Sequence, residues 1–118
     1  MLRHLIIIND APYGTEKAYN GLRLAMSLQR ERSEDGVRVF LMADAVGGAL
    51  PGQDTPDGYY NIERMLRAVL AKGGEVRACG TCAKARGIKD LQLVEGVVVG
   101  TMADLTEWVA TSDRVVSF

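Results

Sequence analysis

Two cysteines three residues apart, Cys79 and Cys82, are the side chains here whose types and spacing could do chemistry. They lie in the stretch Val76-Arg-Ala-Cys-Gly-Thr-Cys-Ala-Lys-Ala-Arg-Gly87. Residues 75–78 read as a short strand, while Lys84, Arg86 and Gly87 read as the last turn and left-handed stop of a helix. The pair therefore stands where a strand becomes a helix. Unpaired backbone N–H groups and the positive dipole end at a helix start favour thiolate, the nucleophilic form of sulfur. On this reading Cys79, at the junction, receives more of that potential and more solvent than Cys82 and alkylates faster and at lower pH. The spacing also fits a thioredoxin-like redox pair, or two inert core thiols, since buried cysteine packs as a small hydrophobe. A structural zinc site takes about four ligands, and the chain offers two cysteines and one histidine, His4, inside an apparent strand. No metal and no cofactor are expected.

The elements that must position this pair come from one domain, residues 1–118, a length that supports a core without disulfide staples. Net charge is −1 from 14 basic and 15 acidic side chains. No basic block with interleaved aromatics is present, so nucleic acid is not expected as a partner. The amino-terminal apolar run is too short for a signal peptide or a membrane span and suits a buried first strand. A cytoplasmic location without membrane contact is expected. That compartment disfavours a standing disulfide and favours reactive thiols.

Residues 2–8 form the first expected strand, apolar and β-branched as in a parallel strand covered on both faces. Thr15 is placed to cap a helix running to about Glu31, with Ala18, Leu22, Ala25 and Met26 at helical spacing. No phosphate-binding signature follows the first strand. Residues 37–42 form the second strand, Asp44 falls just after it, and residues 43–50 suit a short, glycine-interrupted helix. Residues 51–58 hold two prolines and two glycines and must be irregular, a surface loop of the kind that serves as a lid or interface. Asn61 caps the next helix, whose stripe is Ile62, Met65, Leu66, Val69 and Leu70 and whose stop is Gly73-Gly74. After the cysteine segment, a linker at residues 88–95 carries Leu91 and Leu93, and residues 97–99 form a fourth strand. Thr101 with Asp104 resembles a capping box, Met102, Leu105, Trp108 and Val109 form the inward stripe of a last helix, and residues 115–118 close the chain as a strand.

This alternation argues for an α/β domain with a parallel sheet between helices and right-handed crossovers. Sites in such sheets lie at the carboxyl ends of the strands. That rule gathers Cys79 and Cys82 with a substrate-binding set of Asn9, Tyr13, Gly14, Asp44 and Thr81 at one edge, where a pocket is expected. Arg77, Lys84 and Lys89 are close in sequence and could add positive potential, although exposed charges individually contribute little.

Ala11-Pro-Tyr-Gly14, Asn20-Gly-Leu-Arg-Leu-Ala25, Phe40-Leu-Met-Ala-Asp-Ala-Val46, Cys79-Gly-Thr-Cys82, Arg86-Gly-Ile88 and Gly100-Thr101 through Trp108 and Phe118 resemble the DsrE/DsrF-like family, and within it the YchN-type members. The resemblance runs over essentially the whole chain. It implies a three-layer α/β/α fold with a mostly parallel five-stranded sheet, a homo-oligomer such as a trimer or hexamer, and a link to sulfur relay. Matched on Arg86-Gly87, the sulfur-carrying cysteine of the relay members falls on Cys79. Those members typically lack a second cysteine three residues on, which the YchN-type members have, so Cys82 departs from a single-carrier scheme.

Two functions are therefore carried forward. In the first, Cys79 accepts sulfane sulfur as a persulfide from a donor protein and passes it to an acceptor thiol, with Cys82 as a resolving or a packing residue. In the second, the chain is a non-catalytic oligomeric module whose carboxyl-edge pocket binds a small ligand or peptide. Residues 51–60 and 88–94 carry apolar or aromatic side chains outside any helical stripe and are the expected contact surfaces.

Overall fold

The computed structural model describes residues 1–88 and 92–118. Strands β1 (Arg3–Ile8), β2 (Gly36–Leu41), β3 (Glu75–Cys79), β4 (Val98–Gly100) and β5 (Arg114–Ser117) alternate with helices α1 (Lys17–Glu31), α2 (Ile62–Ala71), α3 (Gly80–Ala85) and α4 (Met102–Thr111). The strands form one sheet in the order β4-β3-β2-β1-β5, every pair parallel. The fold class is thus α/β, as the alternation implied. β1 and β2 are central, and their Leu5, Ile6, Ile8, Val39, Phe40 and Leu41 are almost wholly buried. Continuous apolar runs are what strands covered on both faces require.

Register decides which helix covers which face. Ile8 pairs with Leu41, so both point to one side and Phe40 points to the other. α1 lies on the Ile8 side, where a Cβ on Gly21 would stand 3.0 Å from Ile8 Cδ1. α2 is tied beside α1 by the Gln29 side-chain amide donating to the Val69 carbonyl at 2.8 Å. α4 lies on the Phe40 side, with the Trp108 ring edge-on to Phe40 at 6.0 Å. The Arg77 guanidinium sits 4.6 Å from the Trp108 ring centre and pairs with Asp104 at 3.0 Å.

Several local expectations hold. Asn61 accepts the Arg64 N–H at 3.0 Å as the α2 cap, and Thr101 and Asp104 form the reciprocal capping box of α4. Others need correction. The N-cap of α1 is Glu16, with no side-chain bond, and not Thr15; one residue further out, the Thr15 hydroxyl accepts the Lys17 N–H at 3.4 Å and donates to Asp10 at 3.1 Å. The short helix expected over residues 43–50 is present at Ala43–Ala49 and is of the 3-10 type, because glycines at 47 and 48 give an α-helix little support. Of the last stripe only Leu105 and Trp108 are buried, while Met102 is 63% and Val109 44% exposed. A single helix over this face leaves both beyond the sheet's cover. Leu91 and Lys89 lie outside the described residues. Among the described residues, no helix is long and apolar enough to cross a membrane.

At the amino end of the sheet Asp35 closes the start of β1 onto the turn before β2. Its carboxylate accepts the Leu2 N–H at 3.0 Å, meets His4 Nε2 at 2.9 Å and lies 3.5 Å from Arg32. The Leu2 bond, then His4, hold the Asp35 carboxyl below its ordinary 3.8. A depressed carboxylate stabilises the fold above its unfolded value, and that contribution is lost as pH falls through the folded value. Asp35→Asn should therefore melt at a lower temperature than the parent near neutral pH, with the gap closing as pH drops below 3.8. Thermal melts of both proteins across that range check this; a gap independent of pH would refute it.

Candidate functional site

The site is built by the parallel pairing of β2 and β3. Leu41 stands opposite Ala78, so the chain leaves β2 beside the point where it leaves β3. Cys79 is both the last residue of β3 and the N-cap of α3. Its sulfur accepts the Cys82 N–H at 3.3 Å. Cys82 lies one turn inside α3, and its sulfur in turn accepts the Ala43 N–H at 3.2 Å. Both thiols are free. Each sulfur thus receives one backbone hydrogen bond, a contact that favours thiolate or any other anionic sulfur.

Solvent access runs opposite to the sequence-based order. Cys79 is 8% exposed and Cys82 is half-buried. Burial, then the Cys82 side chain, push the Cys79 thiol above its ordinary 9.0, against the opposing pull of the Cys82 N–H. The cause is β4. Cys79 pairs with Gly100, and a Cβ on Gly80 would stand 2.9 Å from Val99 Cγ1. Glycine at 80 lets β4 close over the strand end and exclude water from Cys79.

The other expected residues separate into distinct roles. Asp44 is exposed beside the pair and binds Arg86, whose Nε and Nη2 lie 2.9 and 2.8 Å from its Oδ1. Arg86 also donates to the Cys82 carbonyl at 3.0 Å. Arg86 is therefore the cation that the fold brings to the thiols, whereas Arg77 is engaged by Asp104 and Trp108. Thr81 is exposed on α3. Asn9 is committed to the end of β5, its amide and side chain both donating to the Phe118 carbonyl.

Tyr13 and Gly14 belong to a neighbouring cluster. Tyr13 stacks with Tyr59 and Tyr60, and Tyr60 with Tyr19 at 4.4 Å. A hydrogen bond with Tyr59, together with burial, pushes the Tyr60 phenol up to about 12. The Tyr13 hydroxyl donates to Gln53 Oε1 and accepts the Ile62 N–H at 3.1 Å. Gln53 also bonds the Gly48 and Leu50 carbonyls, the Glu63 backbone and side chain, and the Asn61 side chain. The 51–58 loop is thereby tied to the start of α2.

A pocket is expected at the carboxyl edge, and two cavities among the described residues lie away from it. A shallow one of about 540 Å³ runs along the outside of α1, and one of about 50 Å³ lies at the amino end of the sheet. The α1 groove is lined by side chains of that one helix and holds neither thiol. The chemistry stays with the thiols. Among the described residues, no three His, Cys, Asp or Glu side chains stand together as metal ligands do.

An all-parallel α/β sheet carrying a thiol pair at the carboxyl end of its third strand defines the class. The chain belongs to the DsrE/DsrF-like family, whose model matches residues 3–118. It is 42% identical to protein YchN of Escherichia coli over 118 residues, all of both chains. It is also 42% identical to protein MK0008 of Methanopyrus kandleri over 113 residues, 96% of this chain and 91% of that one. The crystal structure of the E. coli YchN protein superposes with a TM-score of 0.96 over the full length of both chains. MTH1491 of Methanobacterium thermoautotrophicum shares the fold, with a TM-score of 0.80 at 12% identity over all of both chains.

Alkylation tests the reversed order of access. Iodoacetamide should label Cys82 in Cys79→Ser several-fold faster at pH 7 than it labels Cys79 in Cys82→Ser, because attack needs an accessible thiolate. Equal rates, or a faster Cys79, would contradict the burial described above.

Proposed function

We propose that this chain is a sulfur-relay protein that holds sulfane sulfur as a persulfide on Cys79, with Cys82 as the resolving thiol. The observation that carries this reading is the pair of free thiols, each sulfur accepting a backbone N–H, in a chain of the DsrE/DsrF-like family. The Cys79 thiolate attacks the outer sulfur of a donor persulfide. The donor S–S bond breaks, the donor leaves as a thiolate, and no net oxidation occurs. An acceptor thiolate then attacks the outer sulfur and Cys79 leaves. In the competing discharge Cys82 attacks the Cys79 sulfur and expels hydrosulfide, forming a disulfide that a dithiol must reduce before the next round. Burial of Cys79 shields the loaded sulfur from stray thiols. The donor and acceptor are proteins, and the setting is the reducing cytoplasm.

The same burial favours a second reading, a non-catalytic assembly or binding module with inert thiols. Incubation with a low-molecular-weight persulfide followed by intact-mass measurement separates the two. Relay chemistry gives a gain of one sulfur atom that a reductant reverses. Cys79→Ser should abolish the gain, while Cys82→Ser should retain it with a longer lifetime, since the discharge to disulfide is gone. No gain on the parent protein would leave the module reading.

Both readings share an oligomer, trimeric or hexameric, closed by apolar surface at the two sheet edges. Val98, Val99, Met102, Val109, Val115 and Val116 are each more than 40% exposed, and such surface is ordinarily covered. Light scattering at micromolar concentration should return a multiple of the chain mass of 12.8 kDa, and Val99→Lys should lower it. A monomer mass for the parent protein would sink this proposal.

A further inference from the structure

We propose that Asp44 and Arg86 form a latch that aims the Ala43 amide at the Cys82 sulfur, which makes both of them positioning residues for that thiol. Ala43 has φ of +50°, the one non-glycine residue at positive φ among those described. A side chain with a Cβ disfavours this region, and such conformations persist where their surroundings over-determine them. Here the surroundings are specific. The Ala45 N–H closes a turn back to the Met42 carbonyl at 2.9 Å, and the Ala43 N–H is left pointing at Cys82 Sγ, 3.2 Å away. Arg86 then joins the two segments that carry donor and acceptor. It grips Asp44, next to Ala43, through two nitrogens and the Cys82 carbonyl through a third.

Both latch side chains are at least one-third exposed, and an exposed ion pair by itself adds little stability. Its effect is therefore on orientation. With the latch open, Ala43 relaxes toward negative φ and its amide leaves the sulfur. The Cys82 thiolate then loses its only backbone donor among the described contacts. The charged and titratable groups on the elements around Cys82 are Asp44, Cys79, and Lys84 and Arg86 of α3. Arg77 is held by Asp104.

The inference deepens the relay reading, because it concerns the reactivity of the resolving thiol, and it can be tested apart from it. Iodoacetamide rates at Cys82 are measured against pH in a Cys79→Ser background, since serine is a good N-cap residue whose hydroxyl can take the place of the Cys79 sulfur as acceptor. Asp44→Asn, Arg86→Gln and the double variant are compared. A through-space charge effect alone has opposite signs for the two substitutions. Removing Asp44 would speed alkylation and removing Arg86 would slow it. The latch requires both single variants to slow it, by about tenfold on the rising limb, equivalent to one pH unit. The double variant should be no slower than either single one, and Arg86→Lys, which cannot grip both partners, should fall between. Melting temperatures confirm that each variant is folded. Opposite shifts, or no shift in folded variants, overturn the latch. A latch response without persulfide loading would sink the relay reading and leave the latch standing.

Discussion

The parallel register between β2 and β3 is the constraint on which the reactive edge depends. With Leu41 opposite Ala78, residues 42–44 emerge beside Cys79, and an amide from one crossover reaches a sulfur at the start of the next. A one-residue slip would turn every side chain of the strand to the other face. In β2 it would move Phe40 away from Trp108 and turn the Arg38 guanidinium toward α1 and α2. The edge-on contact of Trp108 with Phe40 and the cation above that ring therefore guard the register from the far side of the sheet. The chemistry on one edge and the packing under α4 are one problem solved once.

Burial and hydrogen bonding act on the two sulfurs in opposition. Closure of β4 over Gly80 withdraws Cys79 from water and raises its pKa, while the Cys82 amide works to hold charge on it. A sulfur in that balance is slow to react with bulk reagents and still supported once it is anionic. Cys82, nearer the surface and bonded by Ala43, faces the outside. The two cysteines, equivalent in the sequence motif, are made unequal by which neighbouring segment reaches each.

What was legible in the chain depended on whether the signal was local. The β-branched runs of β1 and β2, the Asn61 cap and the Thr101–Asp104 box report themselves within a few residues. The alternation of strand and helix was enough to place Cys79 at a carboxyl edge. The access order of the two thiols was misread because it depends on β4, which returns to Cys79 some twenty residues later. The left-handed Ala43 left no trace, since alanine itself carries no turn signature and gives no reason to expect positive φ. Arg86 read as a helix-end cation, and its partner Asp44 stands 42 positions away. Met102 and Val109 obeyed helical periodicity, yet periodicity records only which way a side chain faces, and the cover at the sheet's margin was absent.

The fastening of the 51–58 loop through one side chain has a chemical consequence. The Gln53 side-chain nitrogen donates to two carbonyls, and its oxygen receives the Tyr13 hydroxyl and the Glu63 N–H. Hydrolysis of that amide to a carboxylate would keep the shape and reverse the polarity. An acceptor would then face the Gly48 and Leu50 carbonyls, and a new negative charge would sit against Glu63. The two carbonyl ties would be lost together, while the Tyr13 hydroxyl and the Glu63 N–H would keep an oxygen to donate to, so the loop would be loosened on one side. Slow deamidation at this one position would act as an ageing clock for the aromatic end of the molecule while leaving the thiols in place.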